Sequence, residues 1–190
     1  MIINITKLDL FRAIYASTAT KDARYYLKGV LVDPVNGNVT GTNGSICLTG
    51  KCVETDSFNP DSEQDKNDSQ PFIMQLQAKI PTTFTSASID TGLKIVTLYK
   101  GSNKKIIPYT VIDAKYPDYE KIFPDVSQDN TGPKNFSINP LLIEPLLKAA
   151  KLRDNQVIFT FVDNTNNNAM QFTIVGLPAH RGVIMPMRIK

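Results

Sequence analysis

Residues 23–48 read ARYYLKGVLVDPVNGNVTGTNGSICL. Tyr25, Tyr26, Val30, Leu31 and Val32 are the aromatic, apolar and β-branched residues that suit a strand. Asn36-Gly37-Asn38 has the left-handed preference of a hairpin turn, and Val39 to Thr42 begin a return strand. Upstream, Thr6 and Asp9 have the spacing of a capping box, and Leu10, Ala13, Ile14 and Ala16 recur at helical period. This predicts an amphipathic helix over residues 7 to about 19, with Lys7 and Arg12 on its polar side. The local order is helix, strand, turn, strand.

The pattern recurs. KIVTLYK (94–100), KKIIPYTVI (104–112), QVIFTFVD (156–163), MQFTIVG (170–176) and GVIMPMRI (182–189) read as further strands separated by Gly- and Asn-rich turns. A second helix is expected in NPLLIEPLLKAAKLR (139–153), with Asn139 as cap, Pro140 at the first helical position, and Leu142, Leu146 and Ala149 or Ala150 on the apolar face. Pro145 removes a backbone donor, so a kink there, or a start at Pro145, is expected. QAKIPTTFTSAS (77–88) stands where another helix would fall, but its threonines and serines favour one turn at most. The fold class is α+β, with antiparallel sheets and few short helices.

Charge and cysteine usage narrow the function classes. The net charge is +3, yet residues 54–70 carry six acids (Glu54, Asp56, Asp61, Glu63, Asp65, Asp68) against Lys66 alone, leaving +8 on the remainder. That stretch reads as a solvated acidic loop; it lacks the glycine and terminal glutamate of an EF-hand. Cys47 and Cys52 are the only cysteines and His180 the only histidine, a poor zinc set, so the thiols are expected to be reduced apolar residues. No Gly-rich phosphate loop, Gly-x-Ser-x-Gly elbow or carboxylate dyad is present, which points to a binding protein rather than an enzyme, with no cofactor. No apolar run approaches the ~20 residues of a membrane span, and the N-terminus has no signal-peptide pattern, so a cytoplasmic protein is expected.

The C-terminal GVIMPMRIK holds five apolar residues among its last eight, and such a tail belongs in a core or along a groove. Paired methionines, flexible and polarizable, suit a surface that accepts several sequences. ARYYLKGVLVD, VTGTNGSICL, YPDYEKIFP (116–124) and VIMPMRI (183–189) together resemble, in the same order, the bacterial replicative sliding clamp, the β subunit of DNA polymerase III. The likeness covers about 5–125 as one clamp domain, with the acidic loop inserted at 54–70, and 134–190 as roughly half of another.

The resemblance implies a non-enzymatic processivity factor that binds polymerases and other replication proteins through a short clamp-binding peptide. The groove would be formed by Thr42, Gly44, Ser45, Ile46 and Leu48, by Pro117, Lys121 and Ile122, and by Val183, Met185, Pro186, Met187 and Arg188. Asn43 stands where the family has an acid, and Ser45-Ile46 where it has His-Arg, which makes the rim less charged. Non-specific contact with double-stranded DNA is expected from Lys7, Arg12, Lys21, Arg24, Lys148, Lys151 and Arg153, since phosphate contact needs only basic helix faces. Counting 1–55, 70–125 and 134–190 as three half-domains, four chains would supply the twelve halves of a ring, the unpaired third half joining a neighbour. In a monomer, Lys94, Lys100, Lys104 and Lys105 could instead guard an exposed sheet edge. Two rivals are a non-encircling relative that only docks peptides, and a β-rich carbohydrate or adhesion module hinted at by NTNNNA (164–169).

Overall fold

The computed structural model describes residues 1–55, 69–123, 136–152, 156–160 and 169–187. Among the described residues twelve antiparallel strands form one continuous order, β10-β11-β12-β4-β3-β2-β6-β9-β8-β7-β1-β5. They are β1 (Ile2–Ile5), β2 (Val30–Asp33), β3 (Asn38–Thr42), β4 (Ile46–Lys51), β5 (Val53–Thr55), β6 (Phe72–Leu76), β7 (Ser86–Asp90), β8 (Ile95–Lys100), β9 (Asn103–Ile112), β10 (Val157–Thr160), β11 (Met170–Ile174) and β12 (His180–Ile184). The α-helices of the described residues, α1 (Leu8–Ala16) and α2 (Pro140–Ala149), pack on each other, and α1 rests on β3 and β4.

The first two thirds of the chain contain one device used twice. The meander β2-β3-β4 receives β6 along its outer edge, and β7-β8-β9 receives β1. Each first strand thus crosses to the sheet of the other unit. The first unit carries α1 between its first strand and its meander. In the second, residues 77–85 hold no helix, as the threonines at 82, 83 and 85 foretold.

The predicted α1 is shortened at both ends. No side chain caps it, because the Asp9 carboxylate that a capping box would use is bonded to Arg12 at 2.5 Å. At the other end Ser17 and Thr18 donate their hydroxyls to the carbonyls of Ile14 and Tyr15, competing with further helix. Residues Tyr25–Lys28 form a 3₁₀ turn rather than the start of β2. In α2, Asn139 accepts from the Leu141 N–H and Pro140 opens the helix, as expected; the helix does not wait for Pro145 but runs through it. Its buried side is Ile143, Leu146 and Ala150, with Leu142 only half-buried.

The C-terminal unit, α2 with β10-β11-β12, does not leave β12 for a neighbouring molecule. β12 pairs with β4 of the same chain, His180 opposite Gly50 through Ile184 opposite Ile46. Nor do the lysines of 94–105 guard an outer edge: β8 lies between β7 and β9, and the order ends instead at β10 and β5. The acidic stretch 56–68 lies outside the described residues.

Candidate functional site

Strand parity decides which side chains are available on β3, β4 and β12. A Cβ at Gly41 would collide with the Ile14 carbonyl of α1, and one at Gly50 would come within 3.0 Å of Leu10 Cδ2. Gly41 and Gly50 therefore face the helices, and so do their strand mates Ile46, Leu48, Gly182 and Ile184. Ile46 and Leu48 are 2% and 0% exposed, so these two predicted groove residues are core instead. The opposite, outer face carries Thr40, Thr42, Cys47, Thr49, Arg181 and Val183, all on alternate positions; of these only Arg181 is exposed, and the predicted groove residues Thr42 and Val183 are buried, at 5% and 3% exposed. Cys47 occupies the outward place expected of Leu48, one residue out of register, because the outward parity changes across the β3–β4 turn and counting by two from Thr42 lands on Ile46 and Leu48.

The turn between β3 and β4 is tightly specified. The Thr42 hydroxyl donates to the Ile46 carbonyl at 2.7 Å and accepts from the Gly44 N–H, while the Asn43 side-chain oxygen accepts from the N–H groups of Ser45 and Ile46. Gly44 has φ +88°, a conformation asparagine or glycine tolerates best. The tail continues β12 past this turn: the Met185 N–H donates to the Ser45 carbonyl at 2.9 Å and the Met187 N–H to the Ser137 carbonyl at 2.7 Å. Met185 and Met187 remain 46% and 49% exposed.

Residues 116–123 lie over the same outer face. Tyr116 is buried and its hydroxyl donates to the Thr40 carbonyl at 3.2 Å; burial pushes its phenol pKa up. Arg181 donates to the Glu120 carboxylate at 2.6 Å and stacks over the Phe123 ring at 4.3 Å. Ile122 is 43% exposed, Pro117 is exposed, and Lys121 is exposed and paired with Asp118 at 2.8 Å. A cavity of about 310 Å³ opens between Glu120, Thr49, Lys51, His180 and Arg181. Three separate segments, the β3–β4 turn, residues 116–123 and residues 183–187, thus meet on one sheet face. Tyr116, Glu120, Phe123 and Arg181, which hold them together, were not singled out as site residues. Arg188 lies outside the described residues.

The basic residues divide. Arg12 is buried: besides Asp9 it donates to the carbonyls of Pro81 and Phe84, each at 2.7 Å, and so ties the helix-free 77–85 segment to α1. The assignment of Arg12 to a DNA surface is therefore corrected; its polar side of the helix is covered by that segment. Arg24 is also not on the helix pair. It forms a two-point contact with Asp22, which it holds near pKa 2, and lies against Gly44 at the β3–β4 turn. Lys148 and Lys151 do lie on the helix side, near Glu144 (2.6 Å) and Asp9 (3.9 Å), beside half-buried Lys7. Between α1, α2 and Lys79-Ile80 is a cavity of about 490 Å³, floored by Tyr15, Ala16, Pro145 and Ala149. Lys21 is exposed in the loop after α1; Arg153 lies outside the described residues.

Cys47 and Cys52 are free and buried, and burial pushes both thiols up to about 12. His180 is structural: its Nε2 accepts from the Ile174 N–H at 2.8 Å, and Nδ1 donates to the Leu177 carbonyl at 3.0 Å. Among the described residues no three His, Cys, Asp or Glu side chains converge as metal ligands, and no helix is long and apolar enough to cross a membrane.

Comparison with solved structures matches this topology to one fold. A DNA polymerase sliding clamp from Pseudomonas aeruginosa superposes with a TM-score of 0.59 at 16% identity, covering 100% of this chain and 66% of the clamp. The DNA polymerase III subunit beta of Borrelia burgdorferi gives 0.59 at 16%, covering 100% and 63%, and that of Thermotoga maritima gives 0.57 at 13%, covering 100% and 66%. The chain has the sliding-clamp fold. It spans less than two thirds to about two thirds of the length of those clamps. No family model and no curated protein sequence matches it.

Proposed function

We propose that this chain is a clamp-like, non-enzymatic scaffold that docks short peptides of replication proteins on the outer face of β3, β4 and β12 and contacts double-stranded DNA non-specifically through its helix side. The observation that carries the reading is the convergence of the β3–β4 turn, residues 116–123 and the Met185-Pro186-Met187 tail on one face. Half-exposed Met185, Met187 and Ile122 offer apolar contact there, Gly44, Ser45, Pro117 and Pro186 shape it, and buried Thr42 and Val183 support it from beneath. Arg24 and Arg181, each paired with an acid of this chain, Asp22 and Glu120, give the face a polar margin around its apolar contacts. Lys7, Lys148, Lys151 and Lys79 give the helix side the sequence-independent phosphate attraction of a basic surface. A protein that docks peptides without encircling DNA would use the same face and lack the salt-dependent DNA affinity.

The test is a fluorescence anisotropy titration with a labelled peptide containing a glutamine followed by apolar and aromatic anchors. Micromolar saturable binding is expected, weakened more than tenfold in Met187→Asp, because the new carboxylate must be desolvated against the peptide. Met187 is half-exposed, so the variant folds. Equal titrations of wild type and Met187→Asp would reject the groove.

A further inference from the structure

The cavity of about 490 Å³ on the helix side has a cause in the sequence. In the first unit α1 fills the space between the first strand and the meander; in the second, residues 77–85 cross the corresponding space without a helix and leave it part-filled. The bottom of the cavity is apolar, formed by Tyr15, Ala16, Ile80, Pro145 and Ala149. The Tyr15 ring is a fixed wall, since its hydroxyl accepts from the Leu76 N–H at 2.9 Å. Charge is added with one sign in excess: Arg12, Lys79 and Lys148 against Glu144. Lys148 is paired with Glu144 at 2.6 Å, whereas exposed Lys79 has no acid partner among the described residues. Arg12 is 3% exposed, and among the described residues its buried Nε has no hydrogen-bond partner. Such a donor costs free energy until an acceptor reaches it.

We infer that this cavity is a binding site for a small amphipathic anion, a flat aromatic or short aliphatic body that carries one carboxylate or sulfonate. Its volume falls within the range of about 300–1,000 Å³ in which small-molecule sites lie, and an apolar lining with a few polar groups is their usual composition. The floor takes the apolar body. The head group meets Lys79 at the rim and satisfies the Arg12 Nε–H, both as charge-assisted hydrogen bonds. A cation of the same shape would meet Lys79 and Lys148 and leave the Arg12 donor unsatisfied. The apolar floor also separates this ligand from a phosphate backbone, which would use the rim lysines and leave the floor empty. The inference concerns the helix side and stands whether or not the outer-face peptide reading or the DNA reading holds.

Fluorescence titration of the whole native chain with anilinonaphthalene sulfonate, an aromatic anion whose emission rises in apolar surroundings, tests it. Saturable binding at a single site is expected, and naphthoate should displace the probe about tenfold better than naphthylmethylamine, a cation of similar shape. Lys79→Glu changes an exposed side chain and should weaken binding about tenfold or more, while Ala149→Phe should abolish it by filling the floor. Excess anchor peptide, which belongs on the outer face, should leave the probe bound. Hydrogen exchange on the wild type locates the site without any variant: the probe should slow the amides of 12–20, 79–82 and 144–149 and leave those of 183–187 unchanged. No saturable binding, equal displacement by the amine, indifference to Lys79→Glu, displacement by the anchor peptide, or protection at 183–187 in place of the cavity would each overturn the inference.

Discussion

Arg12→Ala removes a side chain that is 3% exposed and joined to three acceptors: Asp9, the Pro81 carbonyl and the Phe84 carbonyl. A hydrogen bond to a charged group contributes about 1.5–3 kcal/mol, and less where the abandoned acceptor regains water. Asp9 is half-exposed and rehydrates, and the two carbonyls belong to half-buried residues, so about 1 kcal/mol applies to each. With the packing of the lost stem included, the expected loss is about 3–4 kcal/mol. At about 2–4 °C per kcal/mol for a chain of this size, Tm should fall by about 6–16 °C. Arg12→Lys keeps the charge but not the fork, and should recover about half of the loss. The assay is urea unfolding followed by circular dichroism, with the m-value checked for constancy. A loss under about 0.5 kcal/mol would refute the latch, since surface substitutions fall in that range. So would a fall in the salt slope of DNA binding, which would mean that Arg12 reaches phosphate.

Other outcomes follow from the same geometry. Reversing Lys148 and Lys151 to Glu should weaken DNA binding uniformly across sequences and flatten its salt slope by about one unit per lost phosphate contact; a wild-type slope in the double variant would move the DNA surface elsewhere. Burial lowers the His180 pKa below its ordinary 6.5, so on acidification the unfolded chain takes up the proton first. Stability should therefore fall as pH drops from about 6.5 toward the lowered folded value, a component absent from His180→Asn; a pH profile identical in the two proteins would contradict it. Cys47 and Cys52 should resist a thiol reagent in the native state at pH 8 and react together on unfolding; rapid native labelling would show that one of them is accessible.

Much of this was legible in the sequence because its signals are local. Gly37, which has φ +72°, marked the β2–β3 turn, Asn139 and Pro140 marked the start of α2, and the threonines of 82–85 marked a missing helix. Short strands such as β1, β6 and β7 were passed over, since four or five residues beside turns show little periodicity. Arg12 was misplaced for a different reason: helical spacing gives the side of the helix, but only tertiary structure shows that residues 81–84 cover it. The groove segments were found as segments, yet Ile46 and Leu48 were assigned to it because a turn of uncertain length hides which parity faces out. Pairing partners such as β12 with β4 are set by contacts more than a hundred residues apart, which no local pattern encodes.

The outer face of β3, β4 and β12 is the centre of the account, and amide hydrogen exchange with and without the anchor peptide examines it residue by residue. Added peptide should slow exchange at 42–47, 119–123 and 183–187 and leave α1 and α2 unchanged. Protection on the helix side instead, or none at the tail, would contradict the account.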